Sequence, residues 1–233
     1  IFFAGIIFYL VREGHREGYP METDGGGTAP VTGWPIPSPK TYKLANGHEV
    51  TVPDLKRGEP PINLRRTGAG PDWPYVPTNN GMTDAVGPGA YVLRADRPDM
   101  DVHGQPTIRP LRVLKGYDVS KHDSDPRGMN VVGADGKVGG KVVDLWIDTC
   151  EMMFRYLEVQ TAGAQSRRVL LPIPFCRIGD KTVAVQSIHG VHFAQVPTTR
   201  SADQVTLLEE DKISAFYGAG TLYADPSRAE PIL

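Results

Sequence analysis

Cysteine is scarce in this chain. Cys150 and Cys176 are its two thiols, too few for an all-thiolate zinc site or a disulfide scaffold. Both read as reduced, partly buried groups in a reducing compartment. Charge of one sign is lacking too: 25 Lys and Arg against 27 Asp and Glu leave a net charge of -2. A domain built to hold the phosphate backbone carries a strong basic excess, so no nucleic-acid partner is expected. G-x-S-x-G, H-E-x-x-H and C-x-x-C are all missing, and with them three common signatures of hydrolytic, metal and redox chemistry. What is present is 233 residues, 40% hydrophobic and 22% charged, enough for one or two domains with a real core. Gly (26) and Pro (21) are abundant, so long irregular stretches are expected.

The N-terminal run Ile1 to Val11 (IFFAGIIFYLV) is uncharged. As a helix it rises ~16 Å, while a bilayer core needs about 30 Å. No basic region precedes it and no small-residue cleavage site follows it; REGHREGYP comes next, which does not fit a signal peptide. Tyr9 followed by Arg12, His15 and Arg16 fits a chain leaving a membrane through its interface. Residues 1–11 are therefore read as the end of a transmembrane helix whose start is missing, with the rest of the chain on the cytoplasmic side. An ordinary N-terminal core helix is the alternative.

Residues 12–107 read as an extended Pro/Gly-rich segment. Pro20 to Pro88 holds twelve of the 21 prolines and the Gly25–Gly26–Gly27 run, and proline blocks both helices and central strands. Two short strands are predicted within it, Thr41 to Leu44 and Glu49 to Val52, joined by the favoured hairpin turn Asn46–Gly47. Trp34, Tyr42, Trp73 and Tyr75 point to a surface that pins this segment, either its own domain or a partner.

From residue 108 the pattern turns to β. Lys141 to Asp148 alternates, with Val143, Leu145 and Ile147 on one face and Asp144, Trp146 and Asp148 on the other. Phe154 to Val159, Arg168 to Leu171 and Thr182 to Ile188 are further short strands, and this spacing predicts a small antiparallel barrel or sandwich over 108–233. Thr206–Leu207–Leu208–Glu209 has capping-box spacing and predicts a C-terminal helix ending near Tyr217, closed by Gly218 and Gly220.

Gly133 to Gly139 could pass for a phosphate loop, but a strand rather than a helix follows it, so it reads as a turn. His189 and His192 have a metal-like spacing that Gly190 and the β context oppose. More informative is a set of carboxylates and histidines: Asp99, Asp101, His103, Asp118, His122, Asp123 and Asp125, then Asp148, Glu151 and Arg155. Clustered carboxylates repel, so some are expected to titrate nearer neutrality and to share protons, as a relay would need. A solvated acidic surface is the plainer reading of most of them.

These stretches also carry a family resemblance. Arg16-Glu-Gly-Tyr-Pro20, Pro39-Lys-Thr-Tyr42, Asp84-Ala-Val-Gly-Pro-Gly-Ala-Tyr91, Gly140-Lys-Val-Val-Asp-Leu-Trp-Ile-Asp148, Val205-Thr-Leu-Leu-Glu-Glu-Asp-Lys-Ile213 and Gly220-Thr-Leu-Tyr-Ala224 together resemble the H subunit of the purple-bacterial photosynthetic reaction centre. The resemblance runs the length of the chain. It implies a mainly β fold: one N-terminal transmembrane helix, a cytoplasmic PRC-barrel-type domain and a short C-terminal helix. It implies a non-enzymatic cap on the cytoplasmic face of the L and M subunits in the photosynthetic membrane, with membrane lipids as neighbours and a cytochrome subunit or light-harvesting antenna as further partners. Bacteriochlorophyll, bacteriopheophytin, quinones and iron would belong to those partners and none to this chain. The resemblance also implies a proton path to the secondary quinone, with Asp101 and His103 as the surface entry, Asp148 and Glu151 as interior acids and Arg155 as a nearby base. Where the family can carry a second entry histidine, this chain has Gln105, which weakens both the entry point and any metal site there.

Two other classes compete. A soluble PRC-barrel binding module, similar to ribosome-maturation factors, is disfavoured by the acidic balance and the apolar N-terminus. A hydrolase using Asp148 and Glu151 as an acid/base pair lacks any substrate-binding signature.

Overall fold

A computed structural model of the chain describes residues 1–19, 21, 29, 30, 33, 35–44, 47–54, 62–69 and 73–232. The Gly25–Gly27 run, Trp34 and the turn residue Asn46 lie outside the described residues. The chain forms two compact units, one of residues 1–62 with 69–73 and one of residues 63–68 with 74–233.

In the first unit the apolar run folds as helix α1, Phe2–Gly14. It extends past Val11 because Arg12 and Glu13 are good helix formers, and it stops at Gly14, which is not. Every residue from Ile1 to Arg12 is exposed. Thirteen residues span about 20 Å, and no helix among the described residues is long and apolar enough to cross a membrane. Beyond the helix, Arg16 pairs with Glu13 at 2.7 Å and donates to the carbonyls of Ser38 (2.5 Å) and Val52 (3.3 Å). That ties the helix end to a hairpin of β1 (Lys40–Lys43) and β2 (Glu49–Val52), both predicted. Their register runs from Lys40↔Val52 to Lys43↔Glu49.

The second unit opens with a small pair absent from the sequence reading, β3 (Leu64–Arg66) with β4 (Tyr75–Pro77). Its main body is a curled seven-stranded sheet. The strands are β5 (Ile108–Pro110), β6 (Asn130–Val132), β7 (Val138–Asp148), β8 (Met153–Thr161), β9 (Arg168–Pro172), β10 (Cys176–Ile178) and β11 (Thr182–Val185). The order is β10-β11-β6-β7-β8-β9, with β5 on the far end of β7. One pairing departs from the antiparallel expectation: β11 runs parallel to β6. The strand expected to reach Ile188 ends at Val185, and Ser187 and Ile188 turn away to pack against the C-terminal helix.

The alternation predicted for β7 holds in part. Leu145 and Ile147 are buried, but Val143 is 38% exposed while Asp144, Trp146 and Asp148 are buried. Register shifts between Val142 and Asp144 and again between Trp146 and Ile147 account for this. An extra residue flips the facing of everything beyond it. Val131, Leu145, Leu157, Leu171, Val183, Ile188, Phe193, Ile213 and Tyr217 form the centre of the core.

Helix α2 spans Leu207–Tyr223. Its predicted capping box is present: the Glu209 amide donates to Thr206 Oγ1 (3.1 Å) and the Thr206 amide to Glu209 Oε2 (2.9 Å). Its end is not where the glycines were expected to put it, since Gly218 and Gly220 lie inside the helix. They are there for packing. A Cβ on Gly218 would stand 2.5 Å from the Pro88 carbonyl oxygen, and one on Gly220 2.3 Å from Ile188 Cγ2 and 2.6 Å from the Ser187 carbonyl oxygen.

Candidate functional site

The hairpin turn between β7 and β8 gathers three of the predicted groups. Asp148 ends β7 and is 6% exposed; its Oδ1 accepts the amides of Cys150 (3.0 Å) and Glu151 (3.1 Å). This aspartate cap closes the turn, and Met152 completes it with φ of +56°. Arg155, at the start of β8, lies between the two acids. Its Nε is 3.8 Å from Asp148 Oδ2 and its Nη1 3.6 Å from Glu151 Oε2. Glu151, expected to be buried, is 56% exposed in its side chain, because it stands at the tip of the turn where this chain supplies no cover.

Asp101 and His103 lie on a neighbouring loop and do not touch these residues. Asp101 Oδ1 accepts the amides of His103 and Gln105, each at 2.8 Å, and its carboxyl is held below the usual range, mainly by the Gln105 amide and then by that of His103. Backbone connects loop and turn: Thr107 donates to the Asp99 carbonyl (3.0 Å), and Thr149 donates to the Thr107 carbonyl through its amide (2.9 Å) and its hydroxyl (3.0 Å). Residue Ile108 pairs with Asp148 across β5 and β7.

Two further carboxylates of the acidic stretch behave differently from the expectation of mutual repulsion. Asp118 and Asp125 both bind Arg127, each at 2.6 Å. The carboxyl of Asp118 is lowered by the Val119 amide and then by Arg127, and that of Asp125 chiefly by Arg127. The sequence displays the acids, but the amides and the single guanidinium that stabilise their charged forms appear only in the fold. Among the described residues no group of His, Cys, Asp and Glu could hold a metal ion. His189 and His192 stack at 5.5 Å on a short 3-10 turn, where His192 Nδ1 accepts the His189 amide (3.3 Å). The glycine-rich stretch is a turn, as expected, leading into β7.

One carboxylate beside the turn escaped the sequence reading. Glu210 of α2 accepts a hydrogen bond from the Tyr156 hydroxyl of β8 at 2.7 Å. Burial raises its carboxyl above the usual range, Asp148 raises it further, and Tyr156, Arg155 and Arg94 pull against that rise. A signal was available: Glu210, Ile213 and Tyr217 share one helical face, and the latter two are fully buried. The turn thus has Arg155 amid Asp148, Glu151 and Glu210, with Arg94 paired to Asp211 at 3.4 Å. Exposed apolar side chains stand on the turn itself, Met152 and Met153, and others, Met100 and Val102, on the Asp101 loop. One cation among three acids is an arrangement that can take up and release a proton.

Comparison with known families places the chain. The family described as photosynthetic reaction centre, H-chain N-terminal region, matches residues 1–113. The PRC-barrel domain family matches residues 118–192, the stretch that holds β6 to β11. The chain belongs to the H-chain family of photosynthetic reaction centres.

Proposed function

We propose that this chain is the pigment-free cap of a light-driven electron-transfer complex, covering the cytoplasmic face of the L and M subunits and serving a proton path to the secondary quinone. It acts as a structural and proton-conducting subunit, not as an enzyme. Bacteriochlorophyll, bacteriopheophytin, quinones and iron sit in the partner subunits. The exposed apolar face of α1 belongs in the lipid of the photosynthetic membrane, as part of a single pass, with the bulk of the chain on the cytoplasmic side. The exposed methionines at the β7–β8 turn belong against protein.

The observation that carries this reading is the placement of Arg155 between a buried Asp148 and an exposed Glu151, both within 4 Å. Covered by a partner, Glu151 would lose water, and an appearing negative charge on a quinone would favour its protonated form. A quinone reduced by two electrons takes up two protons, and its pocket excludes bulk water, so protons arrive through titratable groups. Asp101 and His103, on the loop joined to the turn through Thr107 and Thr149, serve as the entry. In the intact complex, Glu151→Gln slows the proton-coupled second electron transfer to the quinone and leaves primary charge separation unchanged. Unaltered kinetics of that second step at neutral pH would remove Glu151 from the path.

A further inference from the structure

We propose that Glu210 is a proton-holding group of the same relay, and that Tyr156 is the residue that positions it. This rests on the proton-path reading above and extends it from the β7–β8 turn to helix α2. Three observations converge on Glu210. It is a partly buried carboxylate anchored to the sheet by one short hydrogen bond, from Tyr156 at 2.7 Å. The groups facing it are Tyr156 and Arg155 from β8, Asp148 from β7, and Arg94, with Asp211 beside it on its own helix. The two cations among them are already engaged: Arg155 with Asp148 and Glu151, Arg94 with Asp211. Among the described residues Glu210 therefore has no ion pair of its own to keep it charged, and burial weighs toward its neutral form.

The step involves a proton alone. When negative charge appears on a nearby quinone, the Glu210 carboxylate accepts a proton drawn from bulk water and becomes the neutral acid. The Tyr156 hydroxyl stays protonated, since burial and Glu210 push its own titration well upward. Glu210 then passes that proton on through the relay to the reduced quinone, and the Tyr156 hydrogen bond again meets a carboxylate. No electron passes through either residue.

The test is flash-induced proton uptake by the intact complex, followed with a pH-indicator dye from mildly acid to alkaline pH, in wild type, Glu210→Gln, Tyr156→Phe and Glu151→Gln. Glu210→Gln should delete one titrating step of the uptake profile, above the ordinary carboxylate range. Tyr156→Phe should keep that step and move it to higher pH, because the lost hydroxyl favoured the charged form. A purely structural contact would produce neither signature. In light-minus-dark infrared spectra the same step should show as a carboxylic C=O band that shifts in heavy water and is absent from Glu210→Gln. If Glu151→Gln alters uptake while the Glu210→Gln and Tyr156→Phe profiles superimpose on wild type, Glu210 is outside the relay and the relay stands. If none of the three variants changes uptake, the relay reading falls with it.

Discussion

Arg112 is the residue whose loss should most reveal how the barrel is held together. Its Nη1 donates to Asp144 Oδ2 (3.0 Å) and to Glu158 Oε2, and its Nη2 to the Ala202 carbonyl and to Asp203 Oδ1 (3.0 Å). One side chain thus joins β7, β8 and the segment leading into α2. Asp144 and Glu158 are 9% and 4% exposed in their side chains, so Arg112→Ala leaves two buried acids short of a cation. Breaking a buried pair costs about 3–5 kcal/mol. Here the lower end applies. Glu158 keeps Trp146 Nε1 (2.8 Å) and Arg168 (3.1 Å), and Asp144 keeps the Leu145 amide (2.8 Å); the exposed Asp203 adds little. About 3 kcal/mol corresponds to roughly 6–12 °C of melting temperature for a domain of this size. Arg112→Met, which keeps the aliphatic stem, should recover only a minor part. Thermal unfolding of wild type and both variants at neutral pH is the assay. An Arg112→Met variant as stable as wild type would mean that packing, not charge, is what Arg112 supplies.

Two further outcomes follow from α2. Gly220→Ala should lower the melting temperature: alanine gains about 1 kcal/mol of helix propensity, but its Cβ meets the Ser187 carbonyl oxygen at 2.6 Å, and backbone overpacking costs about 1–3 kcal/mol. A variant more stable than wild type would show that the sheet yields there. Thr206→Ala should cost about 1 kcal/mol by removing the acceptor for the Glu209 amide; unchanged unfolding would show that Glu209 alone holds the helix start.

Local signals were legible in the sequence, and signals that depend on neighbours were not. The β1–β2 hairpin, the long β7–β8 pair and the Thr206 capping box are each specified by residues within a few positions of one another. Gly218 and Gly220 read as a helix end, because glycine commonly ends helices. Their role is set by Pro88, Ser187 and Ile188, which are distant in the chain. The facing of Val143 failed for a related reason. Period-two alternation assumes an unbroken ladder, and a bulge leaves no mark in composition. The parallel β6–β11 pair is likewise a matter of topology, since nothing within Asn130–Val132 or Thr182–Val185 states the direction of the partner.

For the site, the residue types were visible and their electrostatic company was not. Seven acids and histidines between Asp99 and Asp125 looked like the richest proton-handling stretch. In the fold three of its acids are stabilised as charged: Asp101 by backbone amides, Asp118 by an amide and Arg127, and Asp125 chiefly by Arg127. A group so stabilised is a poor store of protons near neutrality, which leaves Asp101 able to pass protons on but not to hold them. Beside the β7–β8 turn one acid, Glu210, has the opposite balance. Arg155 is shared, and the acid that lacks a cation of its own, Glu210, comes from a helix more than 50 residues away in sequence. Density of carboxylates along a chain is therefore a weak guide to proton handling. What matters is the count of acids per available donor in space, and by that measure Glu210, rather than Asp118 or Asp125, is the acid whose protonation can respond to a charge appearing nearby.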